Sequence, residues 1–191
     1  MKVLGLATSP RRGGNTESLL DVALAELSAA GHGVRKVRLC EYRVAPCEAH
    51  PGCRKGAACV IQDDLPALAD QAQGADAVVF AIPVYYWGVP AQLKAYIDRH
   101  VHYYGRRKYA ARAIGVIIIA ADDGIEETER QMLNFLQTGG HAAMPWDQVL
   151  VLRGYAYERT EAMGNPELVE RARDLGRSIA ARLAQGAGDR S

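Results

Sequence analysis

Short apolar runs alternate along the chain with longer stretches in which apolar residues recur every three to four positions. Residues 2–7 form an apolar run of the buried-strand type. Residues 16–30 then place Leu19, Leu20, Ala23, Leu24 and Leu27 on one face at helical spacing. Gly31-His32-Gly33 ends that helix, because glycine takes up the left-handed cap without a Cβ penalty. The alternation of Val34, Val37 and Leu39 with Arg and Lys predicts a strand over 34–39. Residues 40–62, carrying Pro46, Pro51, Gly52 and Gly56, break the pattern. An irregular stretch of that length in a compact domain has a purpose or is mobile.

Asp63 or Asp64 caps the next expected helix, which runs to 73 with Pro66 in its first turn. A nearly all-apolar strand over 76–82 fits a sheet covered on both faces. A loop over 83–88 leads into a helix over 90–103, opened by Pro90. Strand 113–121, helix 125–137, strand 148–152 and helix 166–184 complete the series, and 185–191 reads as a frayed tail. Five strands alternating with five helices, without a break in composition, predict one α/β domain over 1–191 with a parallel sheet between helix layers. The doubly wound order 2-1-3-4-5 fits, with its ligand at the carboxyl ends of the strands near the β1/β3 switch point.

Composition narrows the class of function. The chain has an apolar share of 49% and a charged share of 24%, ordinary for a soluble globular protein. A net charge of +1 with interspersed signs gives no basic field for nucleic acid. Gly105-Arg106-Arg107-Lys108 reads as a solvated turn. The first apolar run stops at Thr8-Ser9-Pro10, too soon for a signal-peptide core, and no later run is long enough to span a membrane. The expectation is a cytoplasmic protein with reduced thiols. Its four cysteines, Cys40, Cys47, Cys53 and Cys59, fall in one short stretch, which argues for structural, metal or redox roles over a disulfide framework.

The switch point demands ligand chemistry in the loops after the first and third strands. In Thr8-Ser9-Pro10-Arg11-Arg12-Gly13-Gly14-Asn15-Thr16, Ser9, Asn15 and Thr16 offer polar side chains, and the glycines let backbone N–H groups turn inward. Asn15 or Thr16 then caps a helix whose positive end favours an anion, with Arg11 or Arg12 adding charge-assisted bonds. The loop lacks both the Walker A ending and the dinucleotide G-x-G-x-x-G, which leaves a terminal monophosphate. The alternative is a polar turn with an ordinary cap. The second loop, Pro83-Val84-Tyr85-Tyr86-Trp87-Gly88-Val89-Pro90, suits a flat heteroaromatic ring against an apolar wall. An aromatic cluster buried under neighbouring loops is the alternative there.

Four motifs in order, Ser9-Pro10-Arg11-x-Gly13-Gly14-Asn15-Thr16, Asp63-Asp64, Pro83-Val84-Tyr85-Tyr86 and Gln92-Leu93-Lys94-x-Tyr96-Ile97-Asp98-Arg99, resemble the NADPH-dependent FMN reductase family and its iron–sulfur flavoprotein relatives. The resemblance covers about residues 2–122. It implies a flavodoxin-like fold, FMN as cofactor and NAD(P)H as co-substrate. By the same resemblance, Ser9, Arg11, Asn15 and Thr16 would bind the FMN phosphate, and Pro83, Val84, Tyr85, Tyr86, Trp87 and Gly88 would lie along the isoalloxazine. The loop of Ala121, Asp122, Asp123 and Gly124 would close on its pyrimidine side. Family members are dimers or tetramers with flavins near subunit interfaces. The face carrying Arg99, His100, His102, Tyr103 and Tyr104 is the candidate contact for a homodimer or homotetramer, a solvated helix end being the alternative.

Iron–sulfur flavoproteins hold a cubane cluster through C-x2-C-x2-C-x5-C just before the Asp-Asp pair. Here those positions read Cys47, His50, Cys53 and Cys59, three thiols in register and one imidazole. Three readings stand: a remnant without metal, a cluster with a histidine ligand, or a zinc site. The first is preferred, so no residue is assigned to a metal, and Cys40 is assigned to the core. Asp98 stands at helical spacing from Lys94 and His102 and is assigned to a surface pairing. No catalytic acid or base is named, because a flavin itself accepts hydride. His32 and His141, beside glycines, read as surface residues.

The functional expectation is an NAD(P)H-dependent flavoenzyme passing electrons to a small acceptor: a quinone, free flavin or metal ion. An electron carrier, with or without a cluster near Cys47, Cys53 and Cys59, is the second reading. Such carriers are generally strongly acidic, and a net charge of +1 argues against one. The third reading is a redox sensor whose thiols are activated by Arg54 and Lys55.

Overall fold

The computed structural model describes residues 1–53, 57–103, 109–138 and 148–188. The cluster at 105–108, together with Arg54, Lys55, Tyr104 and His141, lies outside them. The chain runs β1 (Lys2–Ala7), α1 (Asn15–Ala29), β2 (Gly33–Arg38), α2 (Leu65–Gln73), β3 (Ala77–Pro83), α3 (Ala91–Arg99), β4 (Ala113–Ala120), α4 (Ile125–Thr138), β5 (Leu150–Tyr155) and α5 (Pro166–Gly188). All strand pairings are parallel and the order is β2-β1-β3-β4-β5. This is the flavodoxin-like doubly wound sheet that the alternation of elements predicts.

Strand parity sorts the core into two layers. Leu4, Leu6, Val78, Phe80, Ile82, Ile114, Val116 and Ile118 face α2, α3 and α4. Val3, Ala7, Val79, Ala81, Ile117 and Ile119 face α1 and α5. Every residue of β4 is buried, which is why its apolar run is the clearest in the sequence. On the second face α1 and α5 approach closely at Gly176, where a Cβ would lie 2.5 Å from the Ala23 carbonyl oxygen. Any side chain there would push the helices apart, which outweighs the intrinsic cost of glycine inside a helix.

Three boundaries differ from the sequence reading in ways that matter. First, α1 begins at Asn15 with Gly14 as its N-cap, and no side chain makes the cap hydrogen bond. Second, β5 runs Leu150–Tyr155 rather than 148–152. Arg153, Gly154 and Tyr155 look like a strand ending, yet they pair with Ile118, Ile119 and Ala120. The strand has a single neighbour in the sheet, so the Arg153 side chain can turn outward to Glu129, 2.5 Å away. Third, α3 stops at Arg99 and tightens into a 3-10 turn over His100–Tyr103.

That turn corrects the expected subunit contact. Arg99 is 1% exposed and His100 0%, and Tyr103 is buried with them. His100 packs against Tyr96, Tyr103, Tyr109 and Phe135. These side chains are used up inside the chain, because the 3-10 turn rotates them onto the core. Cys40 also departs from expectation: it sits half-buried in a 3-10 turn over Leu39–Glu41, where Leu39 takes the core position. Asp98 makes the expected pair, its carboxylate holding Lys94 Nζ at 2.6 and 2.7 Å. His32 is half-buried rather than on the open surface.

Candidate functional site

The carboxyl ends of the strands are sewn together into a rim. Thr8 donates from its backbone N–H at 3.0 Å and its hydroxyl at 2.9 Å to the Ala81 carbonyl, tying the end of β1 to β3. Val84 N–H reaches the Ile119 carbonyl at 2.9 Å, and Ala156 N–H reaches Ala120 at 2.9 Å. Above this rim lies a cavity of about 470 Å3, within the range of small-molecule and cofactor sites.

One end of the cavity is the loop after β1. Ser9, Arg11, Gly14, Asn15 and Thr16 all line it. Ser9 Oγ accepts the Arg11 N–H at 3.1 Å, which folds the loop back on itself. Gly13 sits at φ +61 and its N–H donates to Glu17 Oε2 at 2.8 Å. Glu17, buried in the first turn of α1, also meets Arg38 Nε at 3.1 Å and Lys36 Nζ at 3.1 Å. Burial pushes this carboxyl up, but hydrogen bonds from Gly13, Lys36 and Arg38 outweigh it and hold Glu17 below the usual carboxylate range. The charge is therefore tied down on the far side of the loop. Gly14, Asn15 and Thr16 at the uncapped start of α1 line the cavity, and a helix N-terminus favours an anion.

The other end is the loop after β3. Pro83, Val84 and Tyr85 line the cavity, whereas Tyr86, Trp87 and Gly88 do not. Tyr85 and Gly88 exchange two backbone hydrogen bonds, at 2.9 and 3.1 Å, across a two-residue turn. Both central residues are left-handed, Tyr86 at φ 49 and Trp87 at φ 56, the pattern of a type I′ turn. Such turns take Asn-Gly, since a left-handed residue with a Cβ costs roughly 1–2 kcal/mol. Here two aromatics bear that strain, with Tyr86 98% and Trp87 56% exposed. Of the apolar loop expected to wall a flat ring, half-buried Val84 and Tyr85 line the cavity with Pro83, and the exposure of Tyr86 and Trp87 goes against the alternative of a buried aromatic cluster.

The hairpin is braced from below by the loop after β4. The Trp87 indole N–H donates to Asp123 Oδ2 at 3.0 Å. Together with the Gly124 N–H it holds the Asp123 carboxyl below its ordinary range. Gly124, at φ +88, leaves room for the Trp87 backbone: a Cβ would lie 2.8 Å from Trp87 Cα. Ala121 lines the cavity and Asp122 does not.

The side that sequence reasoning missed follows β5. Ala156, Tyr157, Glu158 and Arg159 line the cavity, joined by Ile119 and Ala120 from β4. Ending β5 at Leu152 had left 156–159 far from the rim. The Asn15 side chain draws this segment in, with Nδ2 donating to Glu158 O at 2.8 Å and Oδ1 accepting the Ala162 N–H at 3.1 Å.

The cysteine stretch lies elsewhere. Its main anchor is the ion pair of Arg99 and Asp63, side chains 1% and 0% exposed, at 2.6 Å. Asp63 also accepts the N–H groups of Ala45 and Leu65. Burial opposes its charge, but these contacts prevail and keep its carboxyl below the usual range. Cys59 Sγ accepts from Arg99 Nη2 at 3.4 Å, Cys47 Sγ from the Ala49 N–H at 3.4 Å, and His50 Nδ1 from the Gly52 N–H at 3.3 Å. Among the described residues no three His, Cys, Asp or Glu side chains converge as a metal site.

Comparisons with known proteins bear on the family and the fold. The family model for NADPH-dependent FMN reductase matches residues 1–156. An iron-sulfur flavoprotein of Archaeoglobus fulgidus is 36% identical over 134 residues, 70% of this chain and 61% of that protein. Another, from Methanosarcina thermophila, is 40% identical over 101 residues, 53% of each chain. The matches thus span between about half and three-fifths of these two relatives. Among solved structures, an NAD(P)H:quinone oxidoreductase from Methanothermobacter marburgensis superposes with a TM-score of 0.73 at 22% identity, covering 94% of this chain and 96% of that one, a likeness of fold.

Proposed function

The chain belongs to the NADPH-dependent FMN reductase family, and on that premise we propose that it is a flavin-dependent oxidoreductase that binds FMN and draws electrons from NAD(P)H. Residues 1–191 act as one flavodoxin-like FMN-binding domain. The observation that carries the reading is the cavity at the switch point, with an uncapped helix N-terminus at one end and the Tyr85 hairpin at the other. Ser9, Arg11, Asn15 and Thr16 serve the phosphate end, Arg11 by its charge and Asn15 chiefly by holding the segment after β5 in place. Pro83, Val84, Tyr85 and Ala121 form the wall for the ring. Tyr86, Trp87, Gly88 and Asp122 stand beside it, at the entrance where donor and acceptor come and go.

FMN supplies the two-electron chemistry, accepting hydride from a nicotinamide and releasing electrons to an acceptor, while the protein supplies binding, orientation and electrostatics. The acceptor is a small molecule, of the quinone, free flavin or metal-ion kind. Neither a nucleic acid nor a membrane is needed, and no helix among the described residues is long and apolar enough to cross a membrane. Homodimers or homotetramers are the expected assembly, measurable by light scattering. The cluster alternative near Cys47, Cys53 and Cys59 has less support, because the remaining position of the motif holds His50 in place of a thiol.

Titrating flavin-free protein with FMN tests the reading. Saturable binding of one FMN per chain, followed by bleaching of the bound flavin with NAD(P)H, is expected. A protein that leaves FMN fluorescence unchanged in the titration is not a flavoenzyme of this kind.

A further inference from the structure

We propose that Arg159, carried on a strap formed by residues 156–162, reads the terminal phosphate of the cofactor and so selects a ligand that ends in a monophosphate. The inference rests on the FMN reading above and adds to it a specificity-determining residue from outside the loop after β1.

The strap is built by contacts that have no other evident use. Asn15 holds it from the floor of the cavity through Glu158 O at 2.8 Å and the Ala162 N–H at 3.1 Å. Glu161 Oε2 accepts the N–H groups of Tyr157 at 2.6 Å and Glu158 at 2.7 Å, which tightens the strap into a knot. Between them Thr160 is held at φ 71, a left-handed position that a β-branched residue rarely takes. Strain of this kind persists only where the surroundings over-determine it, and it clusters at ligand clamps.

The result is to bring Arg159 over the loop after β1. Its Nη2 donates to the Arg12 carbonyl oxygen, so the guanidinium spans the gap between the two loops. Arg159 and Arg11 then line the same cavity together with the first turn of α1. One Nη is committed to Arg12, and the rest of the five-donor fork remains for an anion. A phosphate monoester bearing two charges rewards two guanidiniums and a helix N-terminus. The diphosphate of FAD, esterified at both ends, carries one charge per phosphorus and must continue past the first, where the strap bridges to the Arg12 carbonyl.

The experiment measures dissociation constants of FMN, riboflavin and FAD on flavin-free protein, for the natural chain and for Arg159→Ala and Arg159→Lys. Arg159 is exposed, so neither variant disturbs the core. Loss of one charge-assisted contact is expected to weaken FMN about tenfold in Arg159→Ala, with riboflavin unchanged and the preference for FMN over FAD reduced. Arg159→Lys is expected to recover part of the FMN affinity, since it keeps the charge without the fork. Equal weakening of FMN and riboflavin, or no change in either, overturns the role of Arg159 while leaving FMN binding intact. Failure of the natural chain to bind FMN overturns the functional reading itself.

Discussion

Glu17 Oε2 accepts the backbone N–H of Gly13 at 2.8 Å while the same oxygen receives Arg38 Nε at 3.1 Å. One buried carboxylate thus fixes the left-handed turn of the phosphate loop and is neutralised from the side away from the cavity. Had it turned inward, its charge would repel any phosphate at the N-terminus of α1.

Replacing Glu17 by Gln should therefore affect both stability and flavin binding. The uncharged amide leaves Arg38 buried beside a neutral partner, and breaking such a pair costs about 3–5 kcal/mol when the pair is fully buried. Glu41 still pairs with Arg38 and Asp21 with Lys36, so the lower figure is expected. The Gly13 N–H exchanges a charged acceptor for a neutral amide oxygen, so the loop is held less firmly, and FMN should lose more affinity than riboflavin does. Urea unfolding and flavin titration of the variant check both parts; unchanged FMN affinity would show that the loop holds its shape without Glu17.

The same group sets an acid limit. Glu17 and Asp63 both have carboxyls held below their ordinary values in the folded chain. Their contribution is therefore fully present above the unfolded carboxylate value of about 4, and it is lost as pH falls through the lower folded values. The melting temperature of the flavin-free protein should fall steeply below about pH 4. In Glu17→Gln the melting temperature should start lower and fall less over that range, and a parallel decline in the two proteins would count against the assignment.

The sheet order and the place of the loop after β1 at the cavity were legible in the sequence: buried strands read as apolar runs, their alternation with helices gives the doubly wound order, and the loop stands out as small polar residues before a helix. What was not legible depends on distant partners. The sequence presents Asp63 or Asp64 as a helix cap; Asp64 takes the N-cap position without a side-chain cap hydrogen bond, while Asp63, one residue earlier, accepts the Leu65 N–H. Its stronger partner is Arg99, 36 residues later, which the sequence shows only as one charge on an amphipathic helix. The segment 156–159 was likewise hidden, since its place at the cavity depends on Asn15, more than 140 residues earlier. A polar residue in a loop announces chemistry, but the backbone it will hold is set by the fold.

Arg99→Met tests the ion pair that holds the 40–62 stretch against α3. Removing one partner leaves Asp63 buried without its counter-charge, at a cost of about 3–5 kcal/mol. The double variant Asp63→Asn/Arg99→Met should be less damaged than the sum of the singles, because the charges disappear together. Equilibrium urea unfolding of all four proteins gives the coupling, and additive losses would mean the two side chains act independently.

Iron and sulfide analysis of anaerobically purified protein addresses the cysteines. With Cys59 engaged by Arg99 and the second ligand position taken by His50, the expected spectrum is that of flavin alone, with iron well below stoichiometric. His50→Cys restores four thiols in the relatives' spacing. Brown protein with stoichiometric iron and sulfide in the natural chain would establish the cluster, with His50 in the place of the fourth thiol.

The hairpin tip offers a separation of stability from function. Tyr86 is 98% exposed and left-handed, and its ring meets that of Trp87 in an edge contact with centroids 6.3 Å apart. Nothing in its packing compensates for the backbone strain, whereas asparagine accepts the same φ readily. Tyr86→Asn should stabilise the flavin-free protein by roughly 0.5–1 kcal/mol, which in a domain of this size raises the melting temperature by about 1–4 °C. If the strained aromatic guards the entrance to the flavin, turnover with NAD(P)H and a quinone should fall in the same variant while FMN affinity holds. Trp87 stays in place throughout, so its bond to Asp123 continues to brace the loop. A variant that is more stable and equally active would mean that the tyrosine is tolerated there and not used; one that is less stable would mean that the turn is not strained at all.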